Sequence, residues 1–544
     1  MPSGLRETSN NHFEIYYEKP WGGVASDSDP VDIAPNQLVQ QQGVVPVDNV
    51  LCQINLVADP TKFTFVPFLP TSQIYQIFEL NGALWAVDQF GYIYGYQVII
   101  SPFSFNEQHQ TSDAPWAGSG NIPTAVQIVN GVAYIAVYSR QSIYTFDGTT
   151  YALGSNYVGG KVFGVLDDYL LQMNVNQNTD GVQPNRVNWS GPGEFTTWDP
   201  ASNRTAGFNT LAAIEDQITG FLSFASVGLA VTEKGLVEMS PTGVAIGPFS
   251  FTVLWTSEVG QGIIFPDSLI QYGQIGYGVT DSGVYSISTG AGFNDISGSA
   301  RTAILDSFQP MNTLADFIRP VAGNVLLYAF NANYPTPFYM VCAILENGAS
   351  QQVFNVWLMD VKTGIWSYIK YNVDDLVNAQ HGTSQTGGLV TQLKINTFDF
   401  DPSIFADAQF SNPLTLVYMV VQYATPVTVV MTPYLYKANT TDSTTNTAGP
   451  LNLTFRKEEI KLGREPTIRR VLVKAYGNGT LTLSVSGTAF GTIVLDGTTT
   501  PKTYYSNQGI YTGEDPQLSI TSTAFKGVII KAMMSGTYAD GDID

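Results

Sequence analysis

Ile74 to Tyr96 reads IYQIFELNGALWAVDQFGYIYGY, and Ala125 to Phe146 reads AVQIVNGVAYIAVYSRQSIYTF. Each is an apolar strand, an Asn-Gly pair, a second strand, and a tight turn into a third. Asn-Gly between two such runs favours a type I′ hairpin, because both central residues tolerate positive φ. Asn81-Gly82 and Asn130-Gly131 lie 49 positions apart, and Ala86-Val87 matches Ala136-Val137. Degenerate copies follow at Gly228 to Val237 and at Gly276 to Tyr285, 48 positions apart. Another begins at Gly159 and places Tyr169 to Met173 on its middle strand. A further one runs from Val325-Leu326-Leu327-Tyr328 to Trp366, turning through Lys362-Thr363-Gly364. A meander of roughly 40 to 50 residues cannot bury its faces alone, and stacking such units gives a β-propeller. A set of unrelated β-sandwiches with ordinary hairpins is the competing reading; the paired turns favour the propeller. The predicted fold is therefore all-β, a β-propeller of five to seven blades over 59–437. An N-terminal segment occupies 1–58, a polar linker 438–450, and a β-sandwich-like domain 451–544.

The rest of the sequence narrows what such a chain does. Of its 544 residues 44% are apolar and only 13% charged, which excludes a disordered or coiled-coil chain. Cys52 and Cys342 have no second Cys or His near them, which excludes a disulfide scaffold and a zinc module. Met1 to Pro20 lacks the basic-then-apolar order of a secretory signal. The charge-free stretch Leu414 to Tyr436 is long enough to span a bilayer, but Pro426 and Pro433 interrupt it. It reads as two strands joined at Ala424-Thr425-Pro426, and no membrane anchor is expected.

Motifs with a catalytic mechanism are missing. His12, His109 and His381 are scattered, and no Walker loop, HExxH or G-x-S-x-G occurs. Asp167-Asp168, Asp374-Asp375 and Asp399 with Asp401 are acids in turns, where Asp ordinarily accepts backbone hydrogen bonds. A sialidase-like propeller would repeat Ser-x-Asp-x-Gly-x-x-Trp; at Asp281-Ser282-Gly283 the Ser position holds Val279 and no Trp follows. Trp85, Trp116, Trp198 and Trp255 read as core more readily than as sugar-stacking platforms. The chain is expected to be no enzyme and to need no metal or organic cofactor.

Charge is unevenly shared. Residues 451–544 carry 10 Lys and Arg against 9 acids, leaving the first 450 residues with 14 against 36. Such acidity argues against affinity built on neutralising phosphates. Arg456, Lys457, Lys461, Arg464, Arg469 and Arg470 form a basic run, read either as a solvated strand face or as a docking surface for an acidic neighbour.

Pro184-Asn185-Arg186-Val187-Asn188-Trp189-Ser190-Gly191, followed by a turn to Trp198-Asp199, resembles a segment of propeller-bearing phage tail-completion proteins. Trp21-Gly22-Gly23-Val24 with Asp29-Pro30 and Ile33-Ala34-Pro35 looks like their opening, and Arg456 to Gly463 with Arg469-Arg470-Val471 like their ending. In these segments the chain resembles the tail nozzle proteins of short-tailed bacteriophages and the related tail accessory proteins that stabilise packaged DNA. The resemblance implies a virion tail protein made in the host cytoplasm, a homo-hexameric ring below the portal and adaptor proteins, and contact with tail fibre or other tail proteins. It also implies a platform built from the terminal segments, an outward propeller, and a channel that retains packaged double-stranded DNA and later ejects it without sequence-specific binding. Trp21, Gly22, Gly23, Arg456, Lys457, Lys461, Arg464, Arg469 and Arg470 are then the expected assembly interface. Asp180, Glu215, Asp216 and Asp295 are the first acids to consider as channel-facing. The alternative is a propeller that binds a glycan or receptor from the virion, with a propeller glycosidase behind it.

Overall fold

The computed structural model describes residues 4–9, 12–18, 21–26, 32, 34, 37–47, 50–57, 63–65, 74–81, 83–100, 103–110, 121–256, 262–263, 268–290, 292–307, 325–331, 338–347, 352–372, 393–400, 414–422, 426–435, 449–458, 466–513 and 515–538. These hold 38 strands and one six-residue helix, Arg301–Asp306. The turn chemistry read from the sequence is present: Asn81 and Asn130 sit at φ 54° and 52°, and Gly131 follows Asn130 at 74°.

Five blades are separate antiparallel sheets. Blade 1 is Ile74–Leu80, Ala83–Asp88, Ile93–Ile100 and Phe103–Gln110, with Phe63–Phe65 added in parallel at its rim. Blade 2 is Ala125–Val129, Val132–Val137, Ser142–Phe146 and Tyr151–Ser155. Blade 3 is Val158–Leu166, Tyr169–Gln177, Gly181–Trp189 and Gly207–Thr210. Blade 4 is Ile218–Ser223, Gly228–Thr232, Gly235–Pro241 and Phe249–Thr256, and blade 5 is Leu269–Tyr272, Ile275–Thr280, Gly283–Ser288 and Gly292–Asp295. Two more meanders are continuous with a larger sheet. Blade 6 is Val325–Asn331, Phe338–Asn347, Gln352–Asp360 and Ile365–Asn372. Blade 7 is Leu393–Phe400, Leu414–Gln422 and Pro426–Leu435, and its fourth strand is Val50–Val57 from the other end of the chain. Neighbouring first strands meet in order around the ring, and that of blade 7 meets that of blade 1, so the propeller closes at seven.

Blade-to-blade packing explains the repeat's composition. Ala86, Val87, Ala136 and Val137, the matched pairs, are buried on the second strands of blades 1 and 2. Near the axis there is little room, and glycines face large side chains. A Cβ on Gly164 or on Gly228 would stand 2.3 or 2.4 Å from the Phe221 ring. Interiors at this density tolerate no added methyl without rearrangement.

The segments 1–58 and 451–544, read as separate units, share one sheet and one core. His12–Glu18 pairs with the end of Gln517–Tyr538, and Leu38–Gln42 pairs with Gly449–Lys457. Phe13, Ile15, Tyr17, Trp21 and Leu38 join Leu453, Phe455, Val471, Leu483, Ile520 and Met534 in one cluster. Pro466–Val485 and Gln517–Tyr538 are too long for one flat layer. Their pairing register shifts between Asn478 and Thr482, beside Gly477 and Gly479 at φ 120° and 130°. Strands that bend at glycine can pass from one layer to the other, giving the sandwich-like form. The boundary at 58/59 therefore does not separate two independent units, because Val50–Val57 serves both bodies: Leu51 and Cys52 pair with Ile529 and Val528, while Ile54 pairs with Leu435. Most of the linker at 438–450 lies outside the described residues. Among the described residues no helix is long and apolar enough to cross a membrane.

Candidate functional site

The expected assembly residues separate by burial. Trp21 is 3% exposed and packs against Phe455 at 6.2 Å between ring centres, so it is a core side chain and not a contact surface. Gly23 is also buried, at φ 75°, where a Cβ would lie 2.5 Å from Ile365 and 2.6 Å from the Trp366 carbonyl. Gly22 and Lys457 are half-buried. Arg456 turns back on Glu458 with two hydrogen bonds of 2.8 Å, and Glu458 is buried. Beside this pair, burial first and the Glu458 carboxylate second raise the Tyr17 hydroxyl well above its ordinary pKa. Lys461 and Arg464 lie outside the described residues. Arg469 and Arg470 remain, both exposed, and Arg470 lies 4.3 Å over the Tyr505 ring. What the structure brings together from the two ends is one sheet and core; what it presents outward is the Arg469-Arg470 pair.

The four acids lie on one face of the ring. Blade strands alternate in direction, so the turn between second and third strands and the link to the next blade fall on the same side. Asp180 is in such a turn, Glu215 and Asp216 are in a link, and Asp295 ends an outer strand. Two of them are paired with arginines and a third is closed off from solvent. Arg186, 7% exposed, reaches Asp180 at 2.5 Å, and this bond holds the Asp180 carboxyl below the usual range. Asp295 pairs with Arg301. Both oxygens of Asp216 are closed off from solvent without a partner in hydrogen-bonding geometry. Asp180, Glu215 and Asp295 are exposed, and Asp216 is half-buried. Across all seven innermost strands the charged residues are Glu79, Lys161, Lys394 and Asp399. The innermost strands thus carry two charges of each sign, and most of the acids lie elsewhere in the chain.

Asp216 gives a pH test. Burial raises its pKa, the Glu233 carboxylate adds to this, and the nearby Thr232 hydroxyl and Lys234 amide oppose it only in part. A carboxyl whose pKa is raised by folding contributes its stability below the unfolded value and loses it as pH rises through the folded value. Asp216→Asn is therefore expected to raise the unfolding midpoint at pH 7 and to give no gain below the ordinary value of 3.8. Thermal unfolding across that range checks it; an equal or lower midpoint at pH 7 would count against the buried charge.

The Arg186 to Trp198 segment proves to be a brace. Besides Asp180, Arg186 donates to Gln177 at 2.9 Å and Thr210 at 3.1 Å and stacks on Phe208. Trp189 joins the core shared by blades 3 and 4, and Trp198, 1% exposed, the core shared by blades 2 and 3. Ser190 accepts the Leu170 N–H at 3.1 Å and donates to the Gly191 carbonyl. Trp85 is also core and Trp255 half-buried, while Trp116 lies outside the described residues.

No family model matches the chain, and no curated protein matches it. Solved structures similar to it include the computationally designed Ika8 protein, at 11% identity over 68% of this chain and 99% of that one, TM-score 0.36. The N-terminal domain of Nup159 is similar at 10% identity over 80% and 99%, TM-score 0.30. An exo-β-1,3-galactanase from Phanerochaete chrysosporium is similar at 11% identity over 88% and 100%, TM-score 0.24. At these scores the propeller assignment rests on the strand pairing above, and no activity follows from the neighbours.

Proposed function

We propose that the chain is a structural virion protein, a tail nozzle or hub subunit of a short-tailed phage. In this reading six copies form a ring below the portal–adaptor complex, and the ring retains packaged DNA and conducts it during ejection without catalysis. One observation carries the reading. Segments nearly 400 positions apart in the chain interlock as one sandwich, stapled by Val50–Val57 to a closed propeller. That is the platform-and-propeller division that the resemblance implies. With balanced strands at the propeller axis, the conduit belongs to the ring between subunits, where an acidic surface repels phosphates at separations within about 8–10 Å. Native mass and negative-stain imaging of the protein, alone and mixed with its virion's portal–adaptor complex, test the reading. A ring is expected; a monomer that ignores that complex would end it.

Docking is assigned to the exposed pair on the platform. Reversing both Arg469 and Arg470 to Glu is expected to leave unfolding unchanged while cutting incorporation into tails at least roughly tenfold, because like charges opposed across an interface cost several kcal/mol. Purified tails assayed for the variant decide it, and normal incorporation would remove the assignment.

A further inference from the structure

Gln172 and Asn188 are amide side chains at 0% exposure inside blade 3. They are direct partners on its second and third strands, so they leave the sheet on the same side with their Cβ atoms about 4.5–5.5 Å apart. Strand alternation fixes that side. Leu171, Met173, Val187 and Trp189 enter the core shared with blade 4, so Gln172 and Asn188 face blade 2. The surroundings there are apolar. Phe163 and Phe208 flank the pair in its cross-strand row, and Phe163 and Leu170 pack with Tyr134, Ala136 and Ile143 of blade 2. Asn188 donates from Nδ2 to Gln177 at 3.3 Å. Its Oδ1, together with both Oε1 and Nε2 of Gln172, is closed off from solvent and has no hydrogen-bond partner in the protein. The Gln172 amide leans on Gly160, where a Cβ would stand 2.4 Å from Oε1. Buried polar groups are bonded almost without exception, because stripping them of water without giving them a partner is costly. Three such atoms on two facing side chains call for one shared partner.

We propose that Gln172 and Asn188 form a binding site for water enclosed between blades 2 and 3. The chemistry of the set selects the ligand. It presents two acceptors and one donor group, and a buried water typically makes about three hydrogen bonds to groups of this kind. A cation would meet the positive end of the Gln172 NH2 group, and an anion would meet two amide oxygens. Anything larger has no entrance, since neither side chain touches solvent. One water, accepting from Gln172 Nε2 and donating to Asn188 Oδ1, closes the gap between the facing side chains; a second, linked to it, donates to Gln172 Oε1. The site has a positioning role as well. Holding Asn188 Oδ1 turns Nδ2 toward Gln177, whose Oε1 accepts from Arg186 Nη1 at 2.9 Å. Arg186 in turn pairs with Asp180, whose side chain is 38% exposed. The hydrated amides are thus the inner end of a polar chain that begins at the surface, and Phe163 and Leu170 close it toward blade 2.

Crystallography of the full chain, at a resolution that shows ordered water, is the direct test. A solvent peak within about 2.7–3.2 Å of both Gln172 Nε2 and Asn188 Oδ1 is expected. A dry contact there, or a direct amide-to-amide bond between the two side chains, would overturn the proposal. Gln172→Met gives a second reading whose sign separates the cases, because Met keeps the length of Gln and carries no amide. In a dry interface Q172M deletes two unpaired groups and raises the thermal midpoint. Around bound water it removes the anchor and strands the Asn188 oxygen, which lowers the midpoint. The lower midpoint is expected, and an equal or higher one would count against the site. If Q172M does not fold, the electron density of the parent decides alone. Both readings are made on the protein by itself, so neither depends on the nozzle reading or on a ring.

Discussion

Removal of residues 1–57 is expected to prevent the remaining 487 residues from folding, although none of the removed segment lies within the sequence repeat. Val50–Val57 is the fourth strand of blade 7, and without it Pro426–Leu435 becomes an unpaired edge at the point where the ring closes. The sandwich built from the two chain ends loses more. Gly4–Ser9, His12–Glu18 and Leu38–Gln42 leave its sheet, and with them go Phe13, Ile15, Tyr17, Trp21 and Leu38, each at most 3% exposed. Fully burying a large apolar side chain contributes about 1.5–3 kcal/mol, so these five account for about 7–15 kcal/mol. That figure is an upper estimate, since the unfolded chain buries some surface too. It nevertheless matches the whole net stability of an ordinary domain, about 5–15 kcal/mol. The truncated chain should aggregate on size-exclusion chromatography and show no cooperative transition. A monomeric product with the parent's unfolding profile would mean that the propeller closes without its borrowed strand.

That borrowed strand also marks where the sequence stopped being legible. Asn81-Gly82 and Asn130-Gly131 could be read because positive φ is a property of those residues wherever they stand. Pairing between Leu38–Gln42 and Gly449–Lys457 depends on which edges are left open once everything else has folded, and no local pattern encodes it. Trp21 illustrates the consequence: in a polar, Gly-flanked segment it read as a contact residue, and only its distant neighbour Phe455 makes it core. The acids were more legible than the reading allowed. Asp180 and Asp295 each have an arginine six residues later, Arg186 and Arg301, and each is paired with it. That spacing was visible across a strand turn and across a helix start. Asp216 carried no such signal, because its burial comes from the link between blades 3 and 4.

The basic run divides in the same way, and Arg456 provides the sharper test because its effect is on folding and not on docking. Glu458 keeps 3% of its side chain exposed and Arg456 keeps 18%. The guanidinium meets the carboxylate with both a 2.8 Å Nε bond and a 2.8 Å Nη2 bond, so the pair is bidentate. The Glu458 carboxylate in turn keeps the Arg456 pKa raised through that bond. On the other side, the Tyr17 hydroxyl donates to the Arg456 carbonyl at 3.3 Å, tying the pair to a strand from the other end of the chain. Removing one member of a buried pair strands the other charge, which costs about 3–5 kcal/mol, whereas replacing both by apolar groups is often neutral. The low end applies here because Arg456 is partly in contact with water. Arg456→Ala is therefore expected to lower stability by about 3 kcal/mol, and Arg456→Met with Glu458→Leu to recover most of it. Chemical denaturation of the parent, the single variant and the double variant measures both numbers. Under the proposed nozzle role, tail incorporation should fall with R456A only as far as its folded fraction falls, in contrast to reversal of Arg469 and Arg470. A loss below about 1 kcal/mol, the range of exposed pairs, would show that Glu458 is solvated in the native protein and that the pair does not hold the two chain ends together.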